Sequence, residues 1–282
     1  MKTNLWKQAV LCFILIAFLQ QLHAGDAFAK KSTLKSDSNA VINFWNSSTV
    51  IPLQPSVQSF SDTYINEHAE LLAAIKERNS KTFTLIRNIL VKRGVPPELV
   101  YLAVVESKLK NTATSGAGAA GVWQLMPVTA RILGLKVDGI HDERRNIYQS
   151  SAAAAQYLNT LYKQFDDWLL VVAAYNWGAG NVYRAIKLSG SKEFWKMQRY
   201  LPKETRDHVK RFIATHFFFE GSGSFATLTK KERTNYFNAE NEKAAIKSEN
   251  TKSVIENKNT IPLRWILIAK EEETEWVFQL RN

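Results

Sequence analysis

Two stretches of the chain are too apolar to lie at a surface, and they constrain the core it must build. Leu99 to Val105 is apolar on nearly all sides of a helix, and Leu169 to Tyr175 is a second segment of the same kind. A helix that is apolar all round has to be enclosed by other elements. The elements available to enclose these two are also helical. Ile65, His68, Ala69, Leu72 and Ile75 recur at three- and four-residue steps, and so do Phe83, Ile86, Ile89 and Leu90, the spacing of one helix face. Gly94 suits the end of that second helix, and Pro96-Pro97 suits the start of the next. Ser150 to Gln164 carries the run Ala152 to Ala155, and alanine favours helix and lets neighbours come close. Thr205 to Phe219 predicts the helix that closes the domain. Alternating Val, Ile and Thr are scarce, so the expected fold is mainly α.

The flanks read differently. Lys2 and Lys7 precede an unbroken apolar run from Ala9 to Leu19, and Ala27-Phe28-Ala29 follows as a small-x-small site. That order predicts a secretory signal peptide over 1–29, with Ala24 as an alternative cleavage point. The apolar run is about half of the ~20 residues that a membrane-spanning helix needs. Residues 30–56 are polar and punctuated by proline, as in a linker. The helical pattern fills 57–221, and 222–282 forms a charged extension. Its first part, to about 260, reads as a solvated helix or linker, and Arg264–Ala269 and Trp276–Leu280 could pair as a short hairpin.

Composition removes several functions. Cys12 is the only cysteine and falls in the segment expected to be lost. The mature chain then has no thiol for a disulfide, a nucleophile or a zinc finger. The formal charge of +11 over 282 residues would suit nucleic acid, but the lysines are scattered and the leader argues for export. No nucleic acid, cofactor or metal is expected, and a monomer is.

Three stretches are unusual for a plain helical core. Glu106-Ser107 follows directly on the first buried run. Burial disfavours an ionised carboxylate and raises its pKa, and a carboxylic acid still protonated near neutrality can donate to a glycosidic oxygen. An exposed acid at a helix end is the competing reading. Ser115 to Pro127 is rich in glycine and alanine and then turns abruptly to Trp123, Gln124 and Met126. This is a mixture of apolar surface and fixed polar groups that suits sugar rings; a flexible loop before a core helix competes. Ala173 to Gly180 holds Tyr175, Asn176 and two glycines that suit a tight turn, against an ordinary helical corner.

The order of these stretches is more informative than any one of them. Glu106-Ser107, then Gly121-Val122-Trp123-Gln124-Leu125-Met126-Pro127, then Ala173-Ala174-Tyr175-Asn176-Trp177-Gly178-Ala179-Gly180 closely resembles the soluble lytic transglycosylase family. The branch it resembles is that of membrane-bound lytic transglycosylase D. Asp142-Glu143-Arg144-Arg145 and Leu201 to Asp207 extend the resemblance over roughly residues 80–220. It implies the goose-lysozyme type of catalytic domain, in the α+β lysozyme-like superfamily. The implied enzyme cuts peptidoglycan glycan strands in the periplasm, in association with the cell wall or outer membrane, and leaves 1,6-anhydro ends. Glu106 is implied as the sole acid/base. Ser107, Ser115, Gln124, Met126, Tyr175, Asn176, Glu204 and His208 are implied as groove residues. His208-Val209-Lys210 departs from the family, where Tyr-Val-Pro is expected, and no LysM repeat is recognised. A goose-type lysozyme hydrolase and a non-catalytic glycan-binding protein are the alternatives.

Overall fold

The computed structural model of the protein describes residues 51–260. The signal segment, most of the 30–56 arm and the hairpin expected after Arg264 lie outside these. Ten α-helices are described: α1 (Pro55–Arg78), α2 (Ser80–Lys92), α3 (Val100–Ser107), α4 (Pro127–Ile132), α5 (Ile147–Phe165), α6 (Trp168–Trp177), α7 (Ala179–Ser189), α8 (Phe194–Met197), α9 (Lys203–Glu220) and α10 (Lys230–Thr260). Among the described residues the β contribution is limited to isolated bridges, including Thr114 with Ala120 and Ala120 with Leu125. None of the described helices is long and apolar enough to cross a membrane.

The two apolar runs become α3 and α6, and both are enclosed. Val100 to Val104 and Trp168 to Ala174 are all buried. Each large aliphatic side chain taken fully out of water contributes about 1.5–3 kcal/mol, so these two short helices anchor the core. Helix α9 runs along α1 and also packs on α3 and α6; α5 fills the other side, against α2 and α6. The alanines of α5 lie at this contact, with Ala153, Ala154 and Ala155 buried. Gly94 takes a left-handed φ of 70° just past α2, and a short 3₁₀ turn at Pro97–Leu99 leads into α3.

Caps fix the helix ends. Asn146 accepts from the Gln149 amide at the start of α5. Asp167 accepts from the Leu169 and Leu170 amides at the start of α6, and its other oxygen accepts from the Lys230 amide at 2.6 Å. One buried carboxylate therefore joins the starts of α6 and α10, and burial pushes it up to about 6. Of the two readings for the charged stretch before residue 260, helix or linker, the structure has the helix, α10. The first helix begins at Pro55, and Ile51 before it is buried and bridged to Gly223. The sequence around Ile51 has no period to mark it, because a single anchoring side chain produces none.

Candidate active site

Helix α3 is only eight residues long, and its end determines where Glu106 stands. Lys108 and Leu109 both adopt left-handed conformations, with φ of 59° and 58°. Each costs roughly 1–2 kcal/mol for a residue with a side chain, and together they turn the chain sharply away after Ser107. Glu106 is left in the last turn, where α3 faces α9. Its side chain is 16% exposed and its Oε1 lies 3.0 Å from Nε2 of His208, which is 4% exposed. The other ring nitrogen of His208 is buried and has no hydrogen-bond partner.

Either of two proton arrangements closes this contact. An Nε2–H donates to an ionised Glu106, or a protonated Glu106 donates to a bare Nε2. The pair is thus a carboxylate and an imidazole arranged to exchange a proton. Among the described residues, no lysine or arginine is paired with Glu106.

Tyr175, from the end of α6, closes the site from a second side. Its hydroxyl donates to the Trp123 carbonyl at 2.7 Å, and its ring packs on Tyr157. Burial first, and then the charge of Glu106, holds its pKa well above the ordinary tyrosine range. The side chain therefore remains a neutral phenol close to the carboxyl.

The glycine-rich loop forms a rigid wall. The Ser107 hydroxyl donates to the Val122 carbonyl at 2.8 Å; it is buried and fastens the loop to α3. Gly121 sits so close to the segment after α4 that a Cβ there would come within 1.8 Å of the Arg144 carbonyl oxygen. Arg144 is itself buried. Its guanidinium holds both oxygens of Asp142, at 2.7 and 2.8 Å, and also donates to the carbonyls of Gly118 and Leu125. Charge-assisted bidentate pairs of this kind are strong and directional. Arg145 adds a bond to the Thr114 hydroxyl, and Glu143 accepts from the Lys136 amide and from Gln149. The Asp-Glu-Arg-Arg motif is therefore a buckle that shapes the loop.

The expected groove residues fall into two groups. Gln124 stands at a left-handed φ of 47°, its amide donating to the Gly121 carbonyl at 2.8 Å. Ser115 and Ala119 bond reciprocally across the loop rim. Met126 is 43% exposed at the start of α4. Glu204 is exposed one turn before His208 on the same face of α9. Of the expected site residues, His208 contacts Glu106 directly and Tyr175 lies close enough to feel its charge. Asn176 accepts from the Thr205 hydroxyl at 2.8 Å, which ties α6 to α9, and Ser107 is likewise taken up by the scaffold.

One expectation needs correction. Trp123, expected to offer apolar surface to a sugar, is wholly buried, with its indole N–H donating to Ser151. It is a core anchor, placed there because its neighbour Gly121 brings the loop against the body of the protein. Lys210, the other departure from the expected family pattern, lies 5.6 Å from the Phe60 ring on α1 and so belongs to the packing. Sequence reading missed Arg144, whose signal was an acid two residues before an arginine in a turn. Among the described residues, no group of three or more His, Cys, Asp or Glu side chains is disposed to hold a metal.

Residues 84–198 match the family model described as the transglycosylase SLT domain. The chain is 46% identical over 128 residues to membrane-bound lytic murein transglycosylase D of Escherichia coli strain K12, a match covering 44% of this chain and 28% of that protein. It is 41% identical over 92 residues to peptidoglycan transglycosylase gp16 of Escherichia phage T7, covering 32% of this chain and 7% of that one. The chain thus spans between a third and a quarter of the first relative's length. Among solved structures, the 70 kDa soluble lytic transglycosylase SLT70 of Escherichia coli is 20% identical, covering 62% of this chain and 31% of that chain, with a TM-score of 0.47.

Proposed function

We propose that the chain, whose residues 84–198 match the transglycosylase SLT domain model, is a peptidoglycan lytic transglycosylase with Glu106 as its acid/base. The observation that carries the proposal is the Glu106–His208 pair, 3.0 Å apart and set beside a neutral Tyr175. Glycosidases that use water generally need two carboxylates. Here one carboxyl, with an imidazole to exchange protons with, serves both halves of an intramolecular reaction.

Protonated Glu106 donates to the oxygen joining N-acetylmuramic acid to N-acetylglucosamine as the C1–O bond breaks. The resulting carboxylate accepts the proton of the muramyl C6 hydroxyl, whose oxygen closes on C1 to give the 1,6-anhydro ring. Proton count balances, and no water is consumed. Tyr175 donates a fixed hydrogen bond at the edge of this centre. Gln124, Met126, Ser115 and Glu204 form the groove, and His208 holds Glu106 in place. The leader read over 1–29 supports export to the periplasm.

The test is a digest of purified sacculi followed by mass spectrometry of the soluble products. Muropeptides lighter by one water than their hydrated forms, and absent with Glu106→Gln, are the expected result. Hydrated reducing ends would move the activity to lysozyme-type hydrolysis. Cosedimentation without any product would leave only glycan binding.

A further inference from the structure

On the far side of α9 from the catalytic pair lies a pocket of about 670 Å³, lined by Ser191, Trp195, Lys196, Gln198, Arg199 and Arg206 among others. Arg206 and His208 are two residues apart on one helix, and so stand about 200° round its axis from each other. The pocket and the Glu106 cleft therefore use opposite faces of the same first turns of α9. The volume falls within the range of small-ligand sites.

Its charges are unbalanced. No acidic side chain lines it. Arg206 donates only to the Leu201 carbonyl. Arg199 donates to the Tyr200 hydroxyl and stacks over that ring at 4.9 Å. Neither guanidinium is paired with a carboxylate among the described residues. Lys196 is partly compensated by Glu193 at 3.2 Å. Trp195 is held in place because its indole N–H donates to Glu232 on α10 at 2.9 Å. The result is a held indole ring and two guanidiniums lining one concavity without a carboxylate partner, and a guanidinium is the side chain best suited to receive a planar carboxylate.

We propose that this pocket binds a carboxylate of the peptide stems carried by the glycan strand, using Arg199 and Arg206 as its anion-binding pair and Trp195 as its wall. The proposal rests on the peptidoglycan reading above. It gives the basic character of the chain a local purpose: a stem bound behind α9 holds the strand while the sugar backbone occupies the cleft in front.

The test is calorimetric titration of the full chain with a free stem tripeptide, and with the same peptide amidated at its carboxylates. The parent should bind the carboxylate form about tenfold more tightly than the amidated one, since loss of a charge-assisted bond weakens binding by roughly that factor. Arg199→Gln, which alters an exposed contact, should lose about the same factor, and Arg206→Gln a similar one. Turnover of peptide-stripped glycan strands should be unchanged in Arg199→Gln, which also shows that the variant is folded. Equal affinity for the two peptides, or equal affinity in parent and Arg199→Gln, would overturn the pocket. A parent that binds the peptide but cuts no strand sinks the catalytic reading and leaves the pocket standing.

Discussion

Helices α3 and α9 bring a carboxyl and an imidazole into one neighbourhood twice, at opposite ends of their contact, and the two ends behave differently. At the open end Glu106 meets His208 and no guanidinium. At the other end, closed to proton exchange by an arginine although its ion pair is the more exposed of the two, Tyr101 of α3 bonds to both Glu220 of α9 and Arg87 of α2, and Arg87 and Glu220 form an ion pair. Glu98 and His216 sit beside this knot. Burial pushes the Glu98 carboxyl up to about 7 and the His216 imidazole down to about 4, so both are neutral together between those two values. An arginine bound to a carboxylate fixes it in the ionised form; a histidine lets the proton move. The closed end is built to immobilise charge, and the open end to pass it on.

The sharpest way to break this contrast is Glu106→Gln, which should lower anhydro-product formation about ten-thousandfold in a sacculus assay with the circular dichroism unchanged. If activity survives, the open end is not the chemical one.

The next largest effect belongs to the closed end and concerns stability. Glu98 has a raised pKa, so its contribution is complete below about 4.5 and is lost as pH rises through about 7. Glu98→Gln removes that titration. Relative to the parent it should gain about 3 kcal/mol between pH 4.5 and 8, read from urea unfolding at each pH. His216 slopes the other way: its depressed pKa gives stability that is present above about 6.5 and lost as pH falls through about 4. Between 4.5 and 6.5 the two offset each other, and removing either should expose the other's slope.

His208→Gln keeps a donor near Glu106 but takes away the proton acceptor. It should reduce kcat about a hundredfold and leave KM within a few-fold, measured on soluble glycan strands. A proportional rise in KM instead would make His208 a substrate contact. Tyr101→Phe is the smallest change. It leaves the Arg87–Glu220 pair in place and should cost about 1 kcal/mol of stability with no effect on turnover. Lost turnover at normal stability would mean that the two ends are coupled through α3.

The helical body and its two enclosed helices were legible because burial on every side leaves a run with no polar residue, and Glu106 could be found as the first acid after such a run. What was not legible depends on distant pairing. His208 is 102 positions from Glu106, and nothing local marks the face of α9 on which it lies. The burial of Trp123 follows from a backbone contact between Gly121 and Arg144 that no side-chain pattern announces. Asp142 and Glu143, named in the sequence only as part of a motif, are acids that hold the loop, the role left to a carboxylate beside an arginine or an open amide.

The close approach at Gly121 also divides the loop by what sequence drift can reach. Adding a side chain there would require Arg144 and its turn to move together, two changes that are each harmful alone, so that point of the loop is closed to gradual substitution. A few residues away, a Cβ added at Gly116 meets nothing within 4 Å, and the backbone there is not left-handed. Relatives of this chain are therefore free to diversify at the rim, where new side chains could reach different glycan decorations, while the frame behind it stays fixed. Attempts to redirect the proposed activity in the laboratory have the same opening: a library at position 116, with 121 left alone.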